Sequence, residues 1–168
     1  MTQREQLIMY MQGLFGNDQR RIDHALAVLG HAEAILATEP AADAEVVTAA
    51  AILHDIGIQE AERKHGSSAG RWQEIEGPPI ARAILSRTTM APDKIDHVCN
   101  IVANHHSAGF DSLEFRILWD ADWLVNLPDE FPDETGPTME ARITKLFRTH
   151  AGLSRAREIF LGKHKKGL

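Results

Sequence analysis

The chain has 168 residues, of which 43% are hydrophobic and 25% are charged, and this balance excludes an intrinsically disordered protein. Its 18 basic and 24 acidic residues give a net charge of −6, which argues against binding to extended nucleic acid. One cysteine excludes a disulfide framework and suits a reducing compartment, and no apolar stretch is long enough for a membrane span. We therefore expect a cytoplasmic protein that binds neither extended nucleic acid nor a membrane.

Helical periodicity dominates the first third of the sequence. Apolar residues recur every three or four positions from Asp18 to Thr38, which predicts an amphipathic helix that Pro40 ends. The segment from Asp43 to Ile56 is apolar nearly all round. Such a segment is typical of a helix that is buried on every side, and Gly57 suits its C-terminal cap.

The middle of the sequence predicts a long polar loop followed by three helices. Gln59–Gly77 is polar and glycine-rich at its centre, which indicates a loop of functional interest. The next helix is predicted from Pro78 to about Arg87, because prolines suit a first helical turn. Further helices are predicted from Pro92 and over Leu113–Leu127, and a second loop is predicted at residues 128–137.

Two short helices are predicted to close the chain, over Met139–Arg148 and Leu153–Leu161. The sequence contains no alternating strand pattern and no internal repeat. We therefore predict an all-α fold, a single-domain bundle of about six to eight helices that covers residues 1–168.

The pair His54-Asp55 lies in the most apolar predicted helix. A buried carboxylate costs several kcal/mol unless it is paired or binds a metal ion. The pair is therefore either a hydrogen-bonded unit of the core or part of a metal site, and a metal site needs further ligands elsewhere.

Two other polar residues interrupt apolar stripes of predicted helices. His24 lies beside the core face of its helix, and Asp122 shares an apolar stripe of the helix over residues 113–127. Asp120 faces the other way and follows Arg116 by four residues, which predicts a surface ion pair. Asn126 lies one turn after Asp122 and is a candidate contact to a substrate or to a metal ligand.

The order His24, then His54-Asp55 within Leu-His-Asp-Ile-Gly, then Asp122 within Asp-Ala-Asp resembles the HD superfamily of metal-dependent phosphohydrolases. The resemblance implies an all-helical domain with a metal-binding core at about residues 20–127 and closing helices at about residues 138–162. It implies that His24, His54, Asp55 and Asp122 bind one divalent metal ion. Two nitrogen and two oxygen ligands suit manganese, iron, magnesium, nickel or zinc alike.

The same resemblance raises the question of a second metal ion, which Asp55 would share. His105 and His106 match the later ligand pair of the two-metal relatives. A further ligand would come from Glu74 or Glu76, where those relatives usually have histidine, and we take Glu76 as the candidate. The sequence leaves one ion and two ions equally open.

The resemblance implies hydrolysis of a small phosphate ester, with a nucleotide as the leading candidate, by water that the metal activates. His105 or His106, where it is not bound to a metal ion, would give a proton to the leaving oxygen. Lys64 is the predicted phosphate contact, because Ile58 stands where relatives often carry lysine. The alternatives are a di-iron oxygenase of the same fold and a non-catalytic nucleotide-sensing module.

Overall fold

The computed structural model describes residues 1–165, and this part of the chain forms nine α-helices and no β-strand. The all-α class predicted from the sequence is confirmed, although the helices number more than six to eight. The helices are α1 (Gln3–Phe15), α2 (Gln19–Leu36), α3 (Ala44–Leu53), α4 (Ile58–His65), α5 (Gly70–Leu85), α6 (Pro92–Asn104), α7 (Leu113–Glu130), α8 (Gly136–Leu146) and α9 (His150–Lys165).

Helix α3 lies at the centre of the fold and contacts α1, α2, α6 and α7. Its N-terminus is capped by Asp43, whose carboxylate accepts the backbone N–H groups of Glu45 and Val46. Buried side chains from α1 through α9 form one continuous apolar cluster around it. None of the described helices is both long and apolar enough to cross a lipid bilayer.

The helix predicted over residues 43–56 ends earlier than expected, at Leu53. The backbone N–H groups of Ile56 and Ile58 donate to the carbonyls of Leu53 and Asp55, three residues back, so the chain turns tightly between α3 and α4. This turn carries the His-Asp pair to the edge of the core.

The prediction of a long loop over residues 59–77 is wrong. These residues belong to α4 and α5, and only residues 66–69 lie between the two helices. Helix α4 buries only Ile58 and Ala61, so its apolar stripe is too short to be recognised, and it ends at Gly66 with a φ of 66°. Pro78 and Pro79 lie inside α5 instead of in its first turn.

Two further boundaries differ from the prediction. Helix α7 continues through Pro128 to Glu130, which shortens the second predicted loop to residues 131–135. Helix α1 was not predicted; it buries Leu7, Met11 and Phe15 at four-residue spacing, and a capping box begins it. The two predicted closing helices correspond to α8 and α9.

Asp120 is fully buried, and its predicted surface ion pair with Arg116 is wrong. Its carboxylate accepts the backbone N–H groups of Arg148 and Thr149, both at 2.8 Å, and the Thr149 hydroxyl at 2.7 Å. Arg116 pairs with Asp111. Burial raises the pKa of Asp120 to about 6, against the opposing effect of these donors. These hydrogen bonds of Asp120 therefore hold the residues just before α9 against α7.

Candidate metal centre

Four side chains that lie far apart in the sequence meet at one point of the fold. His24 comes from α2, His54 and Asp55 from the turn after α3, and Asp122 from α7. The Nε2 atom of His24 lies 3.3 Å from His54 Nε2, 3.1 Å from Asp122 Oδ1 and 3.3 Å from Asp55 Oδ2. His54 Nε2 lies 3.3 Å from Asp55 Oδ2 and 3.4 Å from Asp122 Oδ1.

These spacings match those of ligand atoms around one metal ion. A metal–ligand distance of about 2.1 Å separates neighbouring ligand atoms by about 3.0 Å in an octahedron and by about 3.4 Å in a tetrahedron. The observed separations run from 3.1 to 3.4 Å. These separations therefore suit binding of one divalent cation by the four side chains.

The hydrogen bonds of two histidines also favour a cation. His54 Nδ1 donates to the carbonyl of Ala51 at 2.9 Å, and His105 Nδ1 donates to the carbonyl of Val102 at 2.8 Å. In a neutral imidazole the proton is then on Nδ1, and the lone pair on Nε2 faces the carboxylate of Asp55. Two lone pairs repel each other unless a cation or a proton lies between them. Backbone anchoring of this kind is typical of metal-bound histidines.

The electrostatics of the cluster lead to the same conclusion. Burial disfavours the charged form of His54, but the carboxylates of Asp55 and Asp122 outweigh it and raise the pKa of His54 well above its usual value. Burial alone would raise the pKa values of both aspartates, yet His54 and its neighbouring imidazoles lower them well below their usual range. The centre therefore attracts positive charge, which a metal ion would supply.

A second group of potential ligands shares Asp55. Oxygen Oδ2 of Asp55 faces His24 and His54, whereas Oδ1 lies 3.2 Å from Nε2 of His105. Ligand atoms of Asp55, His105 and His106 all lie within 4.8 Å of one another. A carboxylate with one oxygen towards each group is an arrangement that can bridge two neighbouring metal ions.

Gln73 lies beside this second group, a position that the sequence did not predict. Its Oε1 lies 3.0 Å from His106 Nε2, and its Nε2 donates to the carbonyl of Ser68 at 2.7 Å. Burial lowers the pKa of His106, which favours the neutral imidazole that a metal ion can bind. A glutamine carries no charge and is an uncommon metal ligand, so no sequence signal marks it.

Glu76 and Lys64 lie apart from both groups of ligands. The Glu76 carboxylate is 3.0 Å from Lys64 Nζ and 3.1 Å from His65 Nε2. Glu74 accepts the backbone N–H groups of His106 and Ser107 instead of facing the second group. The structure therefore places Glu76 in neither ligand group and Lys64 outside the lining of the cavity described below. Because residues 58–65 are helical, Lys64 lies over Glu76 and not at the cavity.

A cavity of about 680 Å³ opens onto His24, Asp55 and Asp122. Asn126 lines it and donates from Nδ2 to Asp122 Oδ1 at 2.9 Å, so it orients this carboxylate. Arg20 lines the same cavity and was not predicted. Its four-residue spacing from His24 is the signal that could have identified it, because residues so spaced share a helix face.

Comparison with known protein families finds one relationship. The family model for the HD domain matches residues 21–147, which is most of the chain and includes all six histidines and aspartates of the two ligand groups. No curated protein and no solved structure matches the chain.

Proposed function

The chain belongs to the HD domain family, and from this membership we propose that it is a metal-dependent phosphohydrolase acting on a small phosphate ester. The observation that supports the proposal is the convergence of His24, His54, Asp55 and Asp122, with their ligand atoms 3.1 to 3.4 Å apart. HD domains are in general metal-dependent hydrolases, and a cavity of about 680 Å³ has the size of a small-molecule site.

The proposed roles of the protein side chains follow from their hydrogen bonds. A divalent ion at the centre would supply positive charge for the phosphoryl oxygens and lower the pKa of water. Ala51 holds the His54 ring through its carbonyl, and Asn126 holds the Asp122 carboxylate. Both ligands are therefore oriented in advance, which limits the reorganisation needed during the reaction.

Of the two histidines predicted to protonate the leaving oxygen, His106 has the better position in this proposal. His106 lines the cavity, whereas His105 is buried and directs Nε2 at Asp55. Gln73 accepts from His106 Nε2 and is itself held by the Ser68 carbonyl. Gln73 thus orients the His106 imidazole at the cavity wall that a bound ester would contact.

A nucleotide is the leading substrate candidate, and Asp55→Ala tests the reaction. Purified protein is analysed for metal and assayed against a panel of nucleotides and other phosphate esters. Because Asp55 serves both ligand groups, we expect Asp55→Ala to lose bound metal and at least about 1000-fold in hydrolysis rate. Asp111→Ala is the matched control, since the exposed carboxylate of Asp111 pairs with the exposed Arg116 and lies outside both ligand groups, so this variant should leave the rate unchanged.

Absence of hydrolysis by the metal-loaded protein, or equal rates for wild type and Asp55→Ala, would contradict the proposal. If the protein binds an ester without hydrolysing it, and Asp55→Ala abolishes that binding, the result instead supports the non-catalytic sensing module.

The di-iron oxygenase remains the second candidate because the carboxylate of Asp55 faces both ligand groups. Two irons per chain and substrate-dependent oxygen consumption would favour this candidate. Hydrolysis without oxygen by protein loaded with zinc or manganese would exclude it. Elemental analysis of the purified protein followed by an anaerobic assay therefore separates the two functions.

A further inference from the structure

The cavity wall carries charges that the metal ligands do not explain. Apart from those ligands, five charged residues line the cavity, namely Arg20, Arg21, Asp23, Asp129 and Glu130. The two arginines lie at the start of α2, and the last two acidic residues lie at the end of α7. A substrate that enters the cavity to reach the candidate metal centre therefore meets these five charged side chains.

The two arginines differ in the partners that they already have. Arg21 is neutralised by Asp18, at 3.0 Å, and by Glu62 on α4. Within residues 1–165, no carboxylate lies within salt-bridge distance of the Arg20 guanidinium, and its side chain is exposed. Arg20 is therefore the cation at this cavity whose hydrogen-bond donors are available to a ligand.

Arg20 also lies on the same helix face as a predicted metal ligand. Arg20, His24 and Ala27 all line the cavity, at positions i, i+4 and i+7 of α2. Four residues correspond to about 6 Å along a helix axis. Arg20 thus lies one helical turn before His24 on the face of α2 that lines the cavity.

We propose that Arg20 binds the phosphoryl group of the substrate and that the cavity selects esters with a single phosphate over polyphosphates. This inference rests on the proposed function. The planar guanidinium group presents a fork of N–H donors that matches two phosphate oxygens. Lys64, the residue predicted for this role, is held by Glu60 and Glu76.

The selection for one phosphate follows from the charge of the remaining wall. The cavity lining carries one guanidinium group without a carboxylate partner and three carboxylates outside the ligand groups, those of Asp23, Asp129 and Glu130. A single phosphate bound between the metal and Arg20 would have both of its contacts to positive charge. Each further phosphate of a polyphosphate would add negative charge to a wall that is already acidic, which costs binding energy at short range.

Substitution of Arg20 tests the inference by binding as well as by turnover. AMP, ADP and ATP are titrated into the metal-loaded protein by calorimetry, with metal content measured before and after. We expect Arg20→Ala to weaken AMP binding and raise KM by about 10- to 100-fold, with a smaller effect on kcat, because a charge-assisted hydrogen bond is lost. Arg20→Lys should recover part of the affinity, and wild type should bind AMP at least as tightly as ATP.

The control is Arg63→Ala, which removes an exposed arginine that pairs with Glu60 outside the cavity. It should bind AMP as wild type does, and thermal unfolding should show both arginine variants to be folded. Unchanged AMP binding in Arg20→Ala, or no AMP binding by wild type, overturns the role of Arg20. Tighter binding of ATP than of AMP overturns the selection for one phosphate.

The two proposals fail in different ways. If wild type hydrolyses phosphate esters and Arg20→Ala does so with the same KM, the assignment of Arg20 is wrong and the phosphohydrolase stands. If AMP binds in an Arg20-dependent manner but no ester is hydrolysed, the phosphohydrolase is wrong and the assignment of Arg20 stands.

Discussion

Two aspartates on the same turn of α7 have different partners, and we infer a structural role for one and a metal-binding role for the other. Asp122 faces the imidazoles of His24 and His54, whereas Asp120 faces the backbone N–H groups of Arg148 and Thr149. The apolar stripe of α7 was enough to predict that Asp122 points inward. Nothing local could predict the surroundings of Asp120, because its partners lie 28 and 29 residues further along the chain.

Asp120→Asn should lower the free energy of unfolding by about 2–3 kcal/mol while metal binding is retained. The amide keeps one acceptor oxygen but turns an NH2 group towards the N–H of Thr149, so a buried donor loses its acceptor. Urea denaturation in the presence of a chelator measures the change in the free energy of unfolding without a contribution from bound metal. Elemental analysis measures how much metal the variant binds.

Asp122→Asn is the matched variant, with the opposite pattern expected. It should lose bound metal and be less destabilised than Asp120→Asn in chelator. The same metal loss in both variants, or the same stability loss, would show that the two carboxylates do not have separate roles.

At the scale of helices, α4 and α5 meet where two glycines let their backbones approach. A Cβ atom on Gly57 would lie 2.5 Å from the backbone nitrogen of Gly77 and 3.0 Å from the carbonyl oxygen of Gln73. This contact holds the first turns of α5 against the turn that carries the His-Asp pair. The position of Gln73 beside His106 thus depends on a glycine two residues after Asp55.

Gly57→Ala should destabilise the protein by about 1–3 kcal/mol and weaken metal binding, because backbone atoms must move to admit the methyl group. Gly30→Ala in α2 is the control, since a Cβ there meets nothing within 4 Å. The free energy of unfolding of the control should rise by about 0.5–1 kcal/mol, because alanine reduces the backbone entropy of the unfolded chain. Urea denaturation and metal titration of both variants check the result, and equal stability of the two would refute the close-contact argument.

The elements that the sequence predicted well are those with long apolar stripes. Helix α2 buries six residues at helical spacing, and its course was predicted closely. Helix α4 buries only Ile58 and Ala61, and its polar surface was mistaken for a loop. Pro78 and Pro79 increased this error, because prolines usually stand at a helix start and here lie inside α5. A loop over this segment would leave Lys64 and Glu76 free to reach the site, whereas in the helices they contact each other.

For the whole molecule, the candidate metal centre brings together side chains from three helical regions that also pack against one another through the apolar core. His24 and Asp122 are 98 residues apart and lie 3.1 Å from each other. The four proposed ligands could be predicted because each is a polar residue that interrupts an apolar pattern and together they match a known order. The division of Asp55 between two groups could not be predicted, since it depends on the orientation of one carboxylate.

Removal of the metal should therefore lower the melting temperature of the whole protein. An ion present at 100 times its dissociation constant adds about 2.7 kcal/mol to the free energy of unfolding. We expect a chelator to lower the melting temperature of wild type and to have no effect on His54→Ala. His150→Ala, which removes an exposed imidazole at the start of α9, should respond to chelator as wild type does. Thermal unfolding with and without chelator measures this, and a wild type insensitive to chelator would contradict it.

The placement of Gln73 has a consequence for how this protein could change during evolution. Gln73 contacts His106 of the second ligand group and makes no hydrogen bond to the four residues of the first. A mutation at this one codon could therefore strengthen or weaken the second group while the first remains intact. Such a mutation would change the number of ions that the protein can bind without removing any of the four proposed ligands of the first ion.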